Sequence, residues 1–137
     1  MLEYHDMVRP EWIDYNGHLS EPFYVMVFGF ATTAMMGDAG IDPNEGNSLY
    51  TVEAHVRYLR EVTPDAELRV TTVTIDVADK KVRFCHEMFV GDTLVATEEL
   101  LALHVRGGTT APFPEHARER LRHHLSPAPD FAGRAIS

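Results

Sequence analysis

The chain has 137 residues, 45% of them hydrophobic and 24% charged, and a formal net charge of −9. That length and apolar content provide for one domain with a real core, and the acidic balance excludes the broad basic field that a nucleic-acid surface needs. The single cysteine, Cys85, excludes an intrachain disulfide and any CxxC metal motif, which fits a reducing cytoplasm.

Met1–Val8 carries Glu3, His5 and Asp6 where a signal peptide needs an apolar run, so no leader is expected and the chain reads as soluble and cytoplasmic. Leu2–Val8 is predicted as a short strand leading through Arg9-Pro10 into the loop Asp14-Tyr15-Asn16-Gly17-His18. Ser20, Glu21 and Pro22 then mark a helix start: a capping hydroxyl, a negative charge in the first turn, and a proline whose missing N–H costs nothing there. Leu19 and Tyr24 stand at the spacing of a hydrophobic staple, which would hold the loop against the helix. From Pro22 to Met36 there is no charge, and apolar residues fall on every side. The spacing predicts a helix buried all round, stopped by Gly37 and Gly40. It is shorter than a membrane span and contains Gly29, Thr32 and Thr33, so a core helix wrapped by a sheet is expected, with no membrane contact.

Gly40–Asn47 reads as a loop. In Leu49–Leu59, Tyr50, Val52, Ala54, Val56 and Tyr58 alternate with Thr51, Glu53, His55 and Arg57, the signature of a half-buried strand. Glu61–Asp65 is a turn, and Leu68–Val77 a second strand whose apolar phase slips midway, as at a bulge. Ala78-Asp79-Lys80 turns the chain into Val82–Val90, and Gly91-Asp92 suits a two-residue II′ hairpin into Thr93–Val105. With that turn, Val90 pairs with Thr93, His86 with Thr97 and Phe84 with Glu99, so His86 shares a face with Glu99. Arg106-Gly107-Gly108 is expected to end the sheet, and Pro114 to open a short amphipathic helix reaching Leu125. Residues 1–125 are read as one domain, and 126–137 as a flexible tail. The order of elements argues for α+β architecture, an antiparallel sheet curled round one long helix, and a small sheet with free edges implies a dimer.

Asp14, Asn16 and His18 stand beside the unpaired N–H groups of the helix start, a candidate oxyanion site. No metal site is read. None of the eight histidines forms a helical His-x-x-x-His with an acidic partner, His86 on an apolar face reads as a core histidine, and Cys85 lies mid-strand with no activating neighbour.

Asp14-x-Asn16-x-His18-Leu19, followed by a buried helix and a sheet of this order, resembles the hotdog fold of the 4-hydroxybenzoyl-CoA-thioesterase-like acyl-CoA thioesterases over roughly residues 2–106. Asp14-x-x-Gly17 matches the place where several of these enzymes carry a catalytic aspartate. The Asp-x-Asn-x-His spacing is similar to that of plant acyl-carrier-protein thioesterases. Together with Tyr50-Thr51-Val52-Glu53, His55-Val56-Arg57-Tyr58-Leu59 and Ala111-Pro112-Phe113-Pro114, the motif resembles most closely the betainyl-CoA thioesterases, which occur alone or fused to carnitine dehydrogenase. Ser20 stands where the family often has Asn.

The resemblance implies an acyl-CoA thioesterase without a cofactor, working as a homodimer or dimer of dimers with sites at the subunit interface. Asp14 would act as nucleophile or as general base on water, and the backbone N–H of Glu21 would bind the oxyanion. Asn16 and His18 would orient water or carbonyl, on a loop turned by Gly17. Glu53 and His55, on the polar strand face, are candidates for the site across the interface. For CoA, the basic candidates are Arg57, Arg60, Lys80, Lys81, Arg83 and Arg106. A betainyl group would call for an aromatic cage, with Trp12, Tyr15 and Tyr50 as walls. Two other readings stay open: a hydratase or dehydratase, which pairs a histidine with a carboxylate on the central helix that Pro22–Met36 lacks, and a non-catalytic module binding an acyl thioester or small ligand.

Overall fold

A computed structural model describes residues 1–136. The chain runs β1 (Leu2–Met7), α1 (Glu21–Ala39), β2 (Asn47–Tyr58), β3 (Glu67–Val77), β4 (Lys81–Val90), β5 (Thr93–Arg106), β6 (Thr109–Thr110) and α2 (Glu115–His123), with short 3-10 turns at Pro10–Trp12 and Pro43–Glu45. The strands form one six-stranded antiparallel sheet in the order β1-β3-β4-β5-β2, with β6 attached to β5. This is the α+β hotdog arrangement, a curled sheet holding one long helix. Arg106-Gly107-Gly108 does not end the sheet. The pair of glycines, at φ 59° and 80°, turns the chain back into β6.

Tyr24, Val27, Phe28, Ala31, Met35 and Ala39 put one face of α1 against the sheet. Phe28, Met35 and Phe84 are fully enclosed, each worth about 1.5–3 kcal/mol of burial. The helix is not buried all round. Val25 is 41% exposed, and Gly29, Thr33, Ala34 and Gly37 beside it are open, because one curled sheet covers only one side of a helix. Its C-terminal stop is Gly40, left-handed at φ 73°, while Gly37 lies within the last turns. Ser20 occupies the N-cap position, yet its hydroxyl makes no capping bond. Its backbone N–H instead donates to the Trp12 carbonyl at 2.8 Å, which ties the loop to the helix start. Leu19 and Tyr24 are both buried in the same apolar cluster, as a staple requires.

Register shifts occur in three strand pairs: one between Thr74 and Asp76 of β3, at the expected phase slip, and two that reset the expected strand faces. In β2 the register shifts between Thr51 and Glu53, so Tyr50 lies opposite Leu103 while Ala54 lies opposite Leu100. The run from Tyr50 to Tyr58 therefore does not share one face. In the β4–β5 hairpin, Val90 pairs with Thr93 across Gly91-Asp92, and only Gly91 has positive φ, as a II′ turn needs. A shift between Met88 and Phe89, opposite the extra residue Val95, then sets His86 against Glu98 and Phe84 against Leu100. The expected pairings with Thr97 and Glu99 are each off by one, and a slip of one residue turns the side chain to the other face. His86 shares the helix-facing side with Glu98, not with Glu99.

After α2, the Ser126 N–H donates to the Thr74 carbonyl, and the Gly133 N–H donates to the Glu99 carboxylate at 2.7 Å.

Candidate active site

The loop before α1 is held by its own backbone. The Asp14 N–H donates to the His18 carbonyl at 2.9 Å and the Gly17 N–H to the Asp14 carbonyl at 3.0 Å, with Gly17 at φ 78°, a conformation that a side chain would strain. Asp14 Oδ1 accepts from the Asn16 N–H at 2.8 Å and, more weakly, from the His18 N–H at 3.4 Å. Its Oδ2 has no partner among the described residues. The loop backbone thus holds the side chain through one carboxylate oxygen and leaves the other without a protein bond among the described residues.

Asp14, Asn16, His18 and Glu21 line one pocket of about 400 Å³ together with Leu19, Tyr24, Tyr58 and Glu61. Pro22 has no N–H, and the Phe23 N–H donates to the Ser20 carbonyl. The Glu21 N–H is left without an acceptor among the described residues, and it adds to the partial positive charge of the helix start. The His18 ring lies 3.4 Å from the Glu61 carboxylate at Nε2. Glu61, Tyr24 and Tyr58 are site-lining residues that sequence reasoning missed: Glu61 reads only as part of a turn, and the tyrosines only as core or strand residues. Tyr24 and Tyr58 meet edge to face at 5.2 Å, and the Tyr24 hydroxyl donates to the Arg60 carbonyl at 3.1 Å. Burial, then the charges of Glu21 and Glu98, push the Tyr58 phenol up.

The other sequence candidates fall elsewhere. Trp12 is 3% exposed, stacked on Phe23 and capped by Arg9. Tyr15 is 96% exposed, Tyr50 lies on β2 opposite Leu103, and none of the three lines the Asp14 pocket. Glu53 and His55 line a cleft on the sheet's outer face with Arg83, Glu99 and Arg134, where Arg83 pairs with Glu99 at 2.6 Å. Arg57 adjoins it through His55 and Arg134. Lys80 and Lys81 sit at the β3–β4 turn, away from both clefts. Burial pushes the Cys85 thiol up to about 12, so it remains a thiol. Among the described residues no cluster of three or more His, Cys, Asp or Glu side chains could hold a metal, and no helix is long and apolar enough to cross a membrane.

The thioesterase-like superfamily matches residues 8–121 of the chain. A betainyl-CoA thioesterase of Pseudomonas aeruginosa is 36% identical over 150 aligned positions that cover 99% of this chain and 94% of that protein. An L-carnitine dehydrogenase/betainyl-CoA thioesterase of Agrobacterium fabrum is 38% identical over 94% of this chain, which spans 29% of that longer protein. Among solved structures, a putative thioesterase from Pseudomonas putida KT2440 superposes with a TM-score of 0.87 at 34% identity, covering 98% of this chain and 94% of that one. Sequence and fold agree: the chain belongs to the thioesterase-like superfamily and is a thioester hydrolase.

Proposed function

We propose that this protein hydrolyses acyl-CoA thioesters at the Asp14 pocket. The observation that carries the reading is the juxtaposition, in one pocket, of a carboxylate anchored through one oxygen and a helix start whose first N–H has no acceptor among the described residues. The thioester carbonyl would lie with its oxygen toward the Glu21 N–H, a donor of the kind worth about 3–4 kcal/mol to an oxyanion. Asp14 then acts in one of two ways. It takes a proton from a water whose oxygen attacks the carbonyl carbon, or it attacks that carbon itself to give an anhydride that water cleaves. In both cases the C–S bond breaks and CoA leaves as the thiolate, which takes up a proton. His18 and Asn16 orient water or carbonyl from the same loop. The catalytic unit in this reading is residues 1–125, acting in the cytoplasm.

The betainyl-CoA thioesterase relatives support betainyl-CoA as substrate. Arg57, Arg83 and His55, gathered on one outer face with Arg134, suit the phosphates of CoA. A homodimer, or dimer of dimers, is supported by β2, a sheet-edge strand that leaves Tyr50 and Val52 more than half exposed, and by the open side of α1 at Val25. The groove-facing residues of α1 are Val25, Gly29, Thr32, Thr33 and Met36, with no carboxylate among them to serve a hydratase.

Thiol release from a panel of acyl-CoAs, compared for wild type and Asp14→Asn, tests the reading. Asn keeps an oxygen to accept the Asn16 N–H, so the loop should hold while kcat falls about 10³-fold or more, at the scale of lost acid–base or nucleophilic catalysis. Activity of the variant within tenfold of wild type would overturn the role of Asp14. A folded wild type that cleaves no ester would point to the ligand-binding module.

A further inference from the structure

The groove between α1 and β2 holds a carboxylate that the hydrolytic chemistry does not use. Val25, Gly29, Thr32, Thr33 and Met36 form one wall of this groove of about 530 Å³, and Leu49, Thr51, Ala54 and Leu100 form much of the other. Glu98 borders it and is only 3% exposed. Unlike its neighbour Glu99, which pairs with Arg83 and accepts from the Gly133 N–H, Glu98 has no cation and no hydrogen-bond donor among the described residues. The titratable groups around it supply no positive charge. The ring of His86, its cross-strand neighbour, is bonded at both nitrogens to Thr32 and Thr72, and Tyr58, on the same face of β2, is a phenol. A buried carboxylate without a partner is costly, and the groove leaves room for the partner it lacks.

We propose that Glu98 selects acyl groups carrying a fixed positive charge, its carboxylate facing a quaternary ammonium seated in the α1/β2 groove. The α1 wall of the groove begins at Val25, one helical turn after Glu21, which lines the Asp14 pocket. With its carbonyl at the helix start, the acyl group would extend along α1 into the groove that Glu98 borders. A quaternary ammonium donates no hydrogen bond, so charge and an apolar wall recognise it, and this groove offers both. Burial pushes the Glu98 carboxyl up to about 7, where a bound cation would draw it toward its charged form. The inference rests on the thioesterase reading above.

The test is the ratio of kcat/KM for betainyl-CoA to that for 3,3-dimethylbutyryl-CoA, in which a carbon replaces the charged nitrogen at nearly unchanged shape. In the wild type this ratio should exceed tenfold, and Glu98→Gln should lower it at least tenfold. A wild-type ratio below ten, or a smaller change in the variant, overturns the proposal. Calorimetric binding of tetramethylammonium to the wild type, lost in Glu98→Gln, gives a readout independent of turnover, and sedimentation of both proteins shows whether Glu98 instead holds a second copy of the chain. Dissociation of the variant, with both esters falling alike, would assign Glu98 to the interface and reject the selectivity role. Asp14-dependent cleavage of other acyl-CoAs with no preference for charge would reject Glu98 alone, whereas the absence of any cleavage would reject the hydrolytic reading beneath it.

Discussion

His86 and Glu98 face each other across β4 and β5, both almost wholly enclosed, and the protein treats them in opposite ways. The His86 ring stacks on Phe28 and makes two bonds of 2.8 Å, to Thr32 at Nε2 and Thr72 at Nδ1. Because the Thr32 hydroxyl donates to the Phe28 carbonyl, Nε2–H is the donor to Thr32, and Nδ1 accepts from Thr72. Burial pushes His86 down to about 3, so it stays neutral and every polar atom is matched. Glu98, at the same level of the sheet, has an open groove in place of a partner. A buried polar group that is fully bonded belongs to the architecture. One that is left unbonded beside a cavity belongs to whatever fills the cavity.

The contrast can be broken from either side. Glu98→Gln should stabilise the free protein, because burial raises the carboxyl from 4.5 to about 7. Between those values the folded state keeps a proton that the unfolded chain has released. The penalty is therefore absent at low pH, grows as pH rises through that window, and is complete above it, reaching about 3 kcal/mol. Urea unfolding of both proteins from about pH 4 to pH 8 should show the variant gaining steadily. A gain that does not change with pH would mean Glu98 is not held in its protonated form by burial. Thr72→Val should do the reverse, leaving His86 Nδ1 without a donor at a cost of about 1–3 kcal/mol, read as a lower urea midpoint at unchanged slope. Ser20→Ala marks the small end of the scale. Its hydroxyl makes no capping bond among the described residues and is half-exposed, so water can serve it, and the loss should stay below the ~1 kcal/mol of a true N-cap.

The candidate pocket was legible where its residues are local in the sequence. Asp14, Asn16, His18 and Glu21 lie within one loop and one helix start, so their spacing alone brings them to one pocket. Tyr58 and Glu61 reach that pocket from the far end of β2 and the turn beyond it, and no spacing within the chain reports such a meeting. Trp12 reads as a cage wall because it neighbours the loop, but an indole so large gains more from the core beside Phe23.

Composition and periodicity by themselves determined the α+β class: the charge-free helix, the alternating strands, the II′ turn at Gly91-Asp92 and the stop at Gly40, each set by residues within a few positions of one another. The tertiary structure decided which face each strand turns inward. The extra residue at Val95 and the shift near Val52 move every later side chain to the opposite side of the sheet, and no local preference encodes that displacement. It also decided that α1 keeps one apolar side open, since a single curled sheet cannot enclose a helix. Out of these two facts comes the groove in which Glu98 is buried with no partner among the described residues.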